Sequence, residues 1–484
     1  MAERFGDLVV VIPGILGSKL ARREGDRLIT VWDFSIRHLA SSLKTLHSGR
    51  LELNGDGADP ADDSITAVDL FSYQLLPGFF GVDDYAPLLH ALQRTIGESQ
   101  VISFPYDWRL SNRLAALKLE SVAQHGLREW QRKSGNFQAK LWLVCHSMGG
   151  LVARYFCEAL GGAAITRTVI TIGTPHRGSV RALDALVNGK RFGPIDATPL
   201  VRSLPSAYEL LPLFPVLRQG SPGAFEMTRV AEWFGLDPLT GKEVTRGNEP
   251  AGPPVPPPLP GIDRAMLKRA LEFHAAIRGP AEARAQGEPS PYRLESFFNR
   301  RQPTSLSAWF DGRRLQVLGT YPEQQGGFWN ETDHRGDGTV PAFSAVPIEW
   351  EGTDRAIALG EKHAALQASV TLADALFNWL RPLDVRGKKG TPDDAVVALD
   401  VPSICREGDD VIATLAATRP TNGYIDLLDV ESQAVLSLPV RLPGEDLTRE
   451  SVFRAITAGV YRVTFRPADQ RQLSISDYVF VVRE

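Results

Sequence analysis

Cysteine is scarce in this chain: three residues in 484, Cys145, Cys157 and Cys405, scattered far apart. That number and spacing exclude a disulfide framework and a cysteine-rich zinc site. Basic excess is missing too. Lys and Arg number 53 against 57 Asp and Glu, a net charge of −4, whereas a dedicated nucleic-acid binder needs surplus cations to release the counterions of phosphate. No nucleic-acid partner is expected. Long apolar runs are also absent. The run at 8–16 is interrupted by Pro13-Gly14, and nothing approaches the roughly 20 residues of a membrane helix. The N-terminus lacks the features of a signal peptide, so a soluble, cytoplasmic protein is expected. The chain contains no His-Glu-x-x-His pattern and no glycine-rich phosphate loop, so neither metal nor cofactor is implied.

What is present is ordinary globular material. Hydrophobic residues make up 43% and charged residues 23%, and the length suits two or three domains. Through the first two-thirds, strand-like and helix-like segments alternate in the manner of βα units. Strands are expected at 8–13, 100–104, 140–145, 167–172, 315–319 and 355–359. Helices are expected at 111–133, with Ser111 as N-cap, and at 149–160. This pattern predicts an α/β fold with a mostly parallel sheet covered on both faces.

Between about 178 and 303 the alternation fails. Prolines 199, 205, 212 and 215 break an apolar stretch into what suits short helices, and seven of the eleven residues at 250–260 are proline, which suits a stiff surface excursion, the alternative being a ligand for a proline-reading domain. An amphipathic helix at 363–380 closes the first domain, and 381–394 has the composition of an exposed linker. Seven strand candidates follow, at 396–401, 411–416, 424–430, 435–442, 452–456, 460–465 and 478–482. Tyr461, Val463 and Phe465 alternate there with Arg462, Thr464 and Arg466, the period of a half-buried strand. The expected division is a catalytic domain at 1–385 with a cap insertion at about 180–305, then an all-β immunoglobulin-like sandwich at 395–484.

Cys145-His146-Ser147-Met148-Gly149-Gly150 follows an expected strand and opens an expected helix, the setting a nucleophile elbow requires. The small Cys145 stands where the first glycine is usual. A serine nucleophile needs a base, and the base needs a carboxylate to fix its tautomer. In chain order Ser, acid, His, the five histidines up to His146 drop out and His176 follows too soon. His274 lies in the irregular insertion, and His334 would need an earlier acid such as Asp311. His363, four residues past the last expected strand, is the candidate base. Asp337, in Gly336-Asp337-Gly338, is the candidate acid, with Asp333 and Asp311 as rivals. For the oxyanion, N–H donors are expected at Met148 and, in the turn after the first strand, at Leu16.

These motifs resemble the lecithin:cholesterol acyltransferase family of α/β-hydrolases. The resemblance rests on V-V-I-P-G-I-L-G-S-K-L at 10–20, F-P-Y-D-W-R-L at 104–110, L-V-C-H-S-M-G-G-L-V-A-R-Y at 143–155, T-I-G-T-P-H-R-G-S at 171–179, residues 336–341, and Lys362-His363. It implies Ser147, Asp337 and His363 as a catalytic triad and the Leu16 and Met148 amides as the oxyanion hole. It does not extend through 180–310, offers no cysteine pair for the lid disulfide of secreted members, and leaves the C-terminal sandwich outside the family core.

The expectation is a serine hydrolase or acyltransferase cleaving an acyl ester through an acyl-enzyme. The apolar stretch 200–217 points to a lipid ester, with room for peripheral membrane contact. Nothing in the sequence speaks to oligomeric state. Two competing readings stand: a binding or signalling module on an inactive hydrolase scaffold, and a nonlipid carboxylesterase.

Overall fold

The strand Leu8–Ile12 is buried at every position, which requires a sheet covered on both faces. In the computed structural model it pairs in parallel with Val101–Ser103 on one side and Leu141–His146 on the other. Thr166–Ile172, Arg293–Asn299 and Ile357–Leu359 extend the sheet beyond Leu141–His146, all parallel. The structure describes residues 5–33, 39–53, 63–71, 85–192, 195–221, 224–244, 259–325, 328–332, 334–351, 355–380, 397–402, 404–417, 420–429, 432–443, 448–468 and 474–482. The linker at 381–394 and most of the proline-rich run lie outside them.

Alternation along the strands sorts side chains into two cores. Leu8, Val10, Ile12, Leu141, Leu143 and Cys145 face one, with Ala116, Leu119, Leu151 and Val152 from the helices Asn112–Ser134 and Gly149–Ala159. Val9, Val11, Trp142, Val144, Ile170 and Ile172 face the other, with Leu88 and Leu92 of Ala86–Ile96 and Leu372 and Leu376 of Val370–Leu380. Each continuous apolar run thus serves both layers. From Leu8–Ile12 the chain runs outward to Val101–Ser103, then returns to the far side at Leu141–His146. At such a reversal the loops diverge beyond the carboxyl ends of the strands and leave a crevice.

The segment 315–319, expected in this sheet, is not there. Leu315–Leu318 pairs with Ser307–Phe310 in a separate four-stranded sheet, and its middle residues are exposed. The place is taken by Arg293–Asn299, inside the range expected for the insertion; its charged and polar residues hid its strand character. The insertion also carries the helices Thr198–Ser203, Pro205–Tyr208 and Arg264–Ala285. Leu200, Val201, Leu204, Leu210, Leu211 and Leu217 are buried in the main core. Packing therefore accounts for the apolarity of these residues. The helix expected at 363–380 is a 3-10 turn, His363–Ala368, followed by Val370–Leu380.

The C-terminal region holds two sheets around one core. Val397–Asp400, Val411–Ala417 and Thr448–Phe453 form one; Ile404–Arg406, Ile475–Val482, Gly459–Pro467, Thr421–Asp429 and Val435–Leu442 form the other. Leu399, Ala413 and Leu415 from the first pack with Ile425, Val463, Phe465 and Val479 from the second. Ile404–Arg406, three residues paired in parallel with Ile475–Val482, was not expected. Among the described residues no helix is long and apolar enough to cross a membrane.

Candidate active site

Ser147 takes φ of +49°, a left-handed conformation costly for a residue with Cβ. The cost is imposed by the turn between Leu141–His146 and Gly149–Ala159, which Ser147 N–H ties to the adjoining strand by donating to Ile172 O at 2.8 Å. Two glycines allow the turn. A Cβ on Gly149 would lie 2.4 Å from the Pro13 carbonyl oxygen, and one on Gly150 would lie 2.1 Å from Thr174 Oγ1. Gly149 therefore fixes the start of its helix directly against the turn that contains Leu16. Leu16 is itself left-handed, with φ of +66°. Met148 follows Ser147 directly, and Leu16 belongs to the turn whose Pro13 carbonyl Gly149 closely approaches.

The motif Pro105-Tyr106-Asp107-Trp108-Arg109 braces that turn from behind. Tyr106 Oη–H donates to Pro13 O at 2.9 Å, Tyr106 N–H to Ser18 Oγ at 3.1 Å, and Trp108 Nε1–H to Ser18 O at 3.2 Å. The buried Arg109 pairs with Asp107 and Asp63, each at 2.6 Å, and these carboxylates push its pKa upward.

His363 and Asp337 come from distant loops to the same place. His363 Nε2 lies 2.8 Å from Ser147 Oγ, and Nδ1 lies 2.7 Å from Asp337 Oδ2. Because a carboxylate accepts, Nδ1 carries the proton, and Nε2 of the neutral ring accepts from the serine hydroxyl. The other carboxylate oxygen of Asp337 accepts from Thr339 N–H at 2.9 Å and Val340 N–H at 2.7 Å, so the two oxygens have separate tasks. The main chain joins the pair as well, His363 N–H donating to Asp337 O at 2.9 Å. Ser147, Asp337 and His363 are 6%, 1% and 3% exposed.

The rivals sit elsewhere. Asp311 is a surface turn residue whose carboxylate accepts from Arg313 and Arg314 N–H, each at 2.8 Å. His334 packs against Tyr321 and Phe343. His274 Nε2 donates to Glu209 O at 2.6 Å, and burial pushes its pKa down to about 4. Asp333 lies outside the described residues. A hollow of about 450 Å³ lined by Leu8, Ile102 and Trp130 lies at the amino ends of the strands, away from Ser147.

Sequence reasoning missed Gly173. It has φ of +59°, and a Cβ there would lie 3.2 Å from both Asp337 Oδ2 and His363 Nδ1. Its signal was its place in T-I-G-T-P, directly after a core strand.

Two charged neighbours flank His363. Lys362 Nζ lies 2.7 Å from Asp477 and 3.4 Å from Asp400, both in the C-terminal sheets. Burial pushes the Glu361 carboxyl up to about 7. In the unfolded chain it titrates near 4.5, so the folded state binds this proton more tightly. The stability associated with it is fully present below pH 4.5 and is lost as pH rises to about 7. Glu361→Gln should remove that loss: at pH 8 the variant should unfold with a free energy higher by on the order of 2–3 kcal/mol, and the two proteins should converge in acid. Thermal melts across this range test it, and parallel curves would contradict it.

Residues 61–225 match the lecithin:cholesterol acyltransferase family. The match spans 165 of the 484 residues. The matched stretch includes Ser147 and ends before Asp337 and His363. Among solved structures, the mature lipase BlEst2 of Bacillus licheniformis is similar at 11% identity over 79% of this chain and 94% of that one, with TM-score 0.32. Phospholipase PlaB of Legionella pneumophila is similar at 10% over 82% and 89%, with TM-score 0.27. A superoxide reductase (neelaredoxin) from Ignicoccus hospitalis matches 18% of this chain and 80% of its own at 9% identity, with TM-score 0.15. No protein of curated function matches the chain by sequence.

Proposed function

We propose that the protein is a serine esterase or O-acyltransferase that works through an acyl-enzyme on Ser147. The observation that carries this reading is the buried hydrogen-bonded series from Ser147 Oγ through His363 to Asp337, at 2.8 and 2.7 Å. Ser147 Oγ attacks the ester carbonyl while its proton passes to His363 Nε2. Asp337 holds the Nδ1–H and stabilises the imidazolium that forms. The negative charge on the tetrahedral oxygen is met by the Leu16 and Met148 amides. Collapse breaks the bond to the alkoxy oxygen, which leaves as an alcohol with the proton from Nε2. Water or a second alcohol then gives its proton to His363 Nε2 and takes the acyl group, while the bond from the acyl carbon to Ser147 Oγ breaks and the imidazolium returns the proton to Oγ. Which acceptor prevails depends on how well the crevice excludes water.

A phospholipid or neutral-lipid ester is the substrate class favoured by the family match. In the same proposal, residues 1–385 are the catalytic domain and 395–484 an immunoglobulin-like sandwich that packs beside the site, as the Lys362–Asp477 pair suggests. Mass spectrometry of a mixed lipid extract incubated with wild type or Ser147→Ala tests the substrate class. Loss of a lipid ester with the wild type alone is expected. Turnover confined to short soluble esters would favour a nonlipid carboxylesterase, and a folded wild type inert to a fluorophosphonate would favour an inactive scaffold.

A further inference from the structure

Beside the serine, a second hydrogen-bonded chain crosses three loops. Gly14 N–H donates to Tyr85 Oη at 2.8 Å. Tyr85 Oη lies 3.0 Å from His146 Nδ1, and His146 Nε2 lies 3.1 Å from the main-chain oxygen of His363. Chemistry fixes each direction. A carbonyl only accepts, so His146 Nε2 carries the proton; Nδ1 of the neutral ring then accepts from Tyr85 O–H, and the tyrosine oxygen takes the Gly14 N–H. Every donor and acceptor in the series is matched. Tyr85 and His146 are fully buried, where an unmatched group would be costly.

The ends of this chain matter. Gly14 opens the turn that carries Leu16, and a Cβ on Gly17 in that turn would lie 3.1 Å from the Tyr85 ring. His146 immediately precedes Ser147 on the strand. The far end is the peptide of His363, whose N–H is already held by Asp337 O. With both its N–H and C=O held, the backbone from which the imidazole projects has little freedom.

We propose that Tyr85 and His146 are positioning residues for acyl transfer, locking the oxyanion turn and the His363 main chain to the strand end that presents Ser147. The inference rests on the roles given above to Ser147, His363 and Leu16. Neither residue touches the reacting atoms. Their effect is on geometry, and a displacement of about 1 Å in such a site can cost on the order of a hundredfold in rate.

The test uses the full-length protein, a soluble chromogenic ester, and titration with a fluorophosphonate so that rates are expressed per competent site. Tyr85→Phe, which removes one oxygen, should lower kcat about tenfold with KM within about twofold. Two further variants separate the ends of the His146 ring. A glutamine amide reaches the Nε2 position and can still donate to the His363 carbonyl; an asparagine amide reaches only Nδ1. His146→Gln should therefore retain more kcat than His146→Asn. A purely structural role would lower the melting temperature while leaving kcat per titrated site within about twofold in all three, and that result overturns the proposal. Equal losses in the Gln and Asn variants would overturn the link to His363. A wild type that is not labelled, or a Ser147→Ala protein labelled as fast as wild type, would instead sink the reading of the site on which the proposal rests.

Discussion

Ser147→Ala is expected to abolish fluorophosphonate labelling and to lower ester turnover by on the order of 10⁴-fold or more. The Oγ is the atom that forms the covalent bond, and neither His363 nor the oxyanion amides can replace it. Loss of one member of such a unit removes most of what the whole unit contributes. The same position supplies an independent check. At φ of +49° both Ser and Ala are strained, whereas Gly is not, so Ser147→Gly should be inactive yet more stable than Ser147→Ala by about 1 kcal/mol. Labelling kinetics and thermal unfolding of the three proteins read both effects. A variant that loses stability but keeps wild-type turnover would remove Ser147 from the chemistry.

The largest effect on stability is expected from Arg154→Leu. Arg154 is 1% exposed on the helix that begins behind Ser147. Its Nη2 lies 2.6 Å from Glu349, and Glu158 is its partner one turn along the same helix. Arg284, from the long helix Arg264–Ala285, pairs with both carboxylates, and Tyr292 Oη–H donates to Glu158. Two cations thus balance two buried anions and pin the insertion to the nucleophile's helix. Removing one cation leaves a buried carboxylate underpaired, a loss of about 3–5 kcal/mol. Denaturant unfolding measures it. Replacing Arg154 and Glu349 together with apolar residues should cost less than Arg154→Leu alone, because no lone charge is left behind.

Local rules carried much of the fold. The runs at 8–13, 140–145 and 167–172 announced strands buried on both sides, and the helix at 111–133 came with its N-cap: Ser111 Oγ accepts from Arg113 N–H at 3.2 Å. The period-two pattern of 460–465 reappears in Gly459–Pro467, where Val463 and Phe465 face the core. Arg293–Asn299 was illegible because its Glu295 and Ser296 interrupt the apolar run, while its pairing with Thr166–Ile172 is set by the sheet. Most of the apolar residues of 200–217 are likewise buried in the main core, a placement that only the packed insertion sets.

For the site, chain order and loop context nominated Ser147, Asp337 and His363 with Asp333 and Asp311 still in play. Gly173 had a local signal in T-I-G-T-P that went unused, His146 was weighed only as a base, and Tyr85 went unnoticed, because the partners that give Tyr85 and His146 their task lie far away in sequence. The Tyr85 hydroxyl meets partners 71 and 61 residues away, and His146 meets one 217 residues away.

By itself, then, the sequence determined what neighbouring residues can decide: where backbone must be strand or helix, where a serine sits on a glycine-backed turn, and which charges and cofactor motifs are missing. The tertiary structure alone decided which Asp oxygen faces which ring nitrogen, which tautomers the histidines hold, and which glycine must have no side chain. Those choices depend on contacts of a few ångströms between residues from 26 to 217 apart in sequence, and only the packed sheet and its loops bring them together.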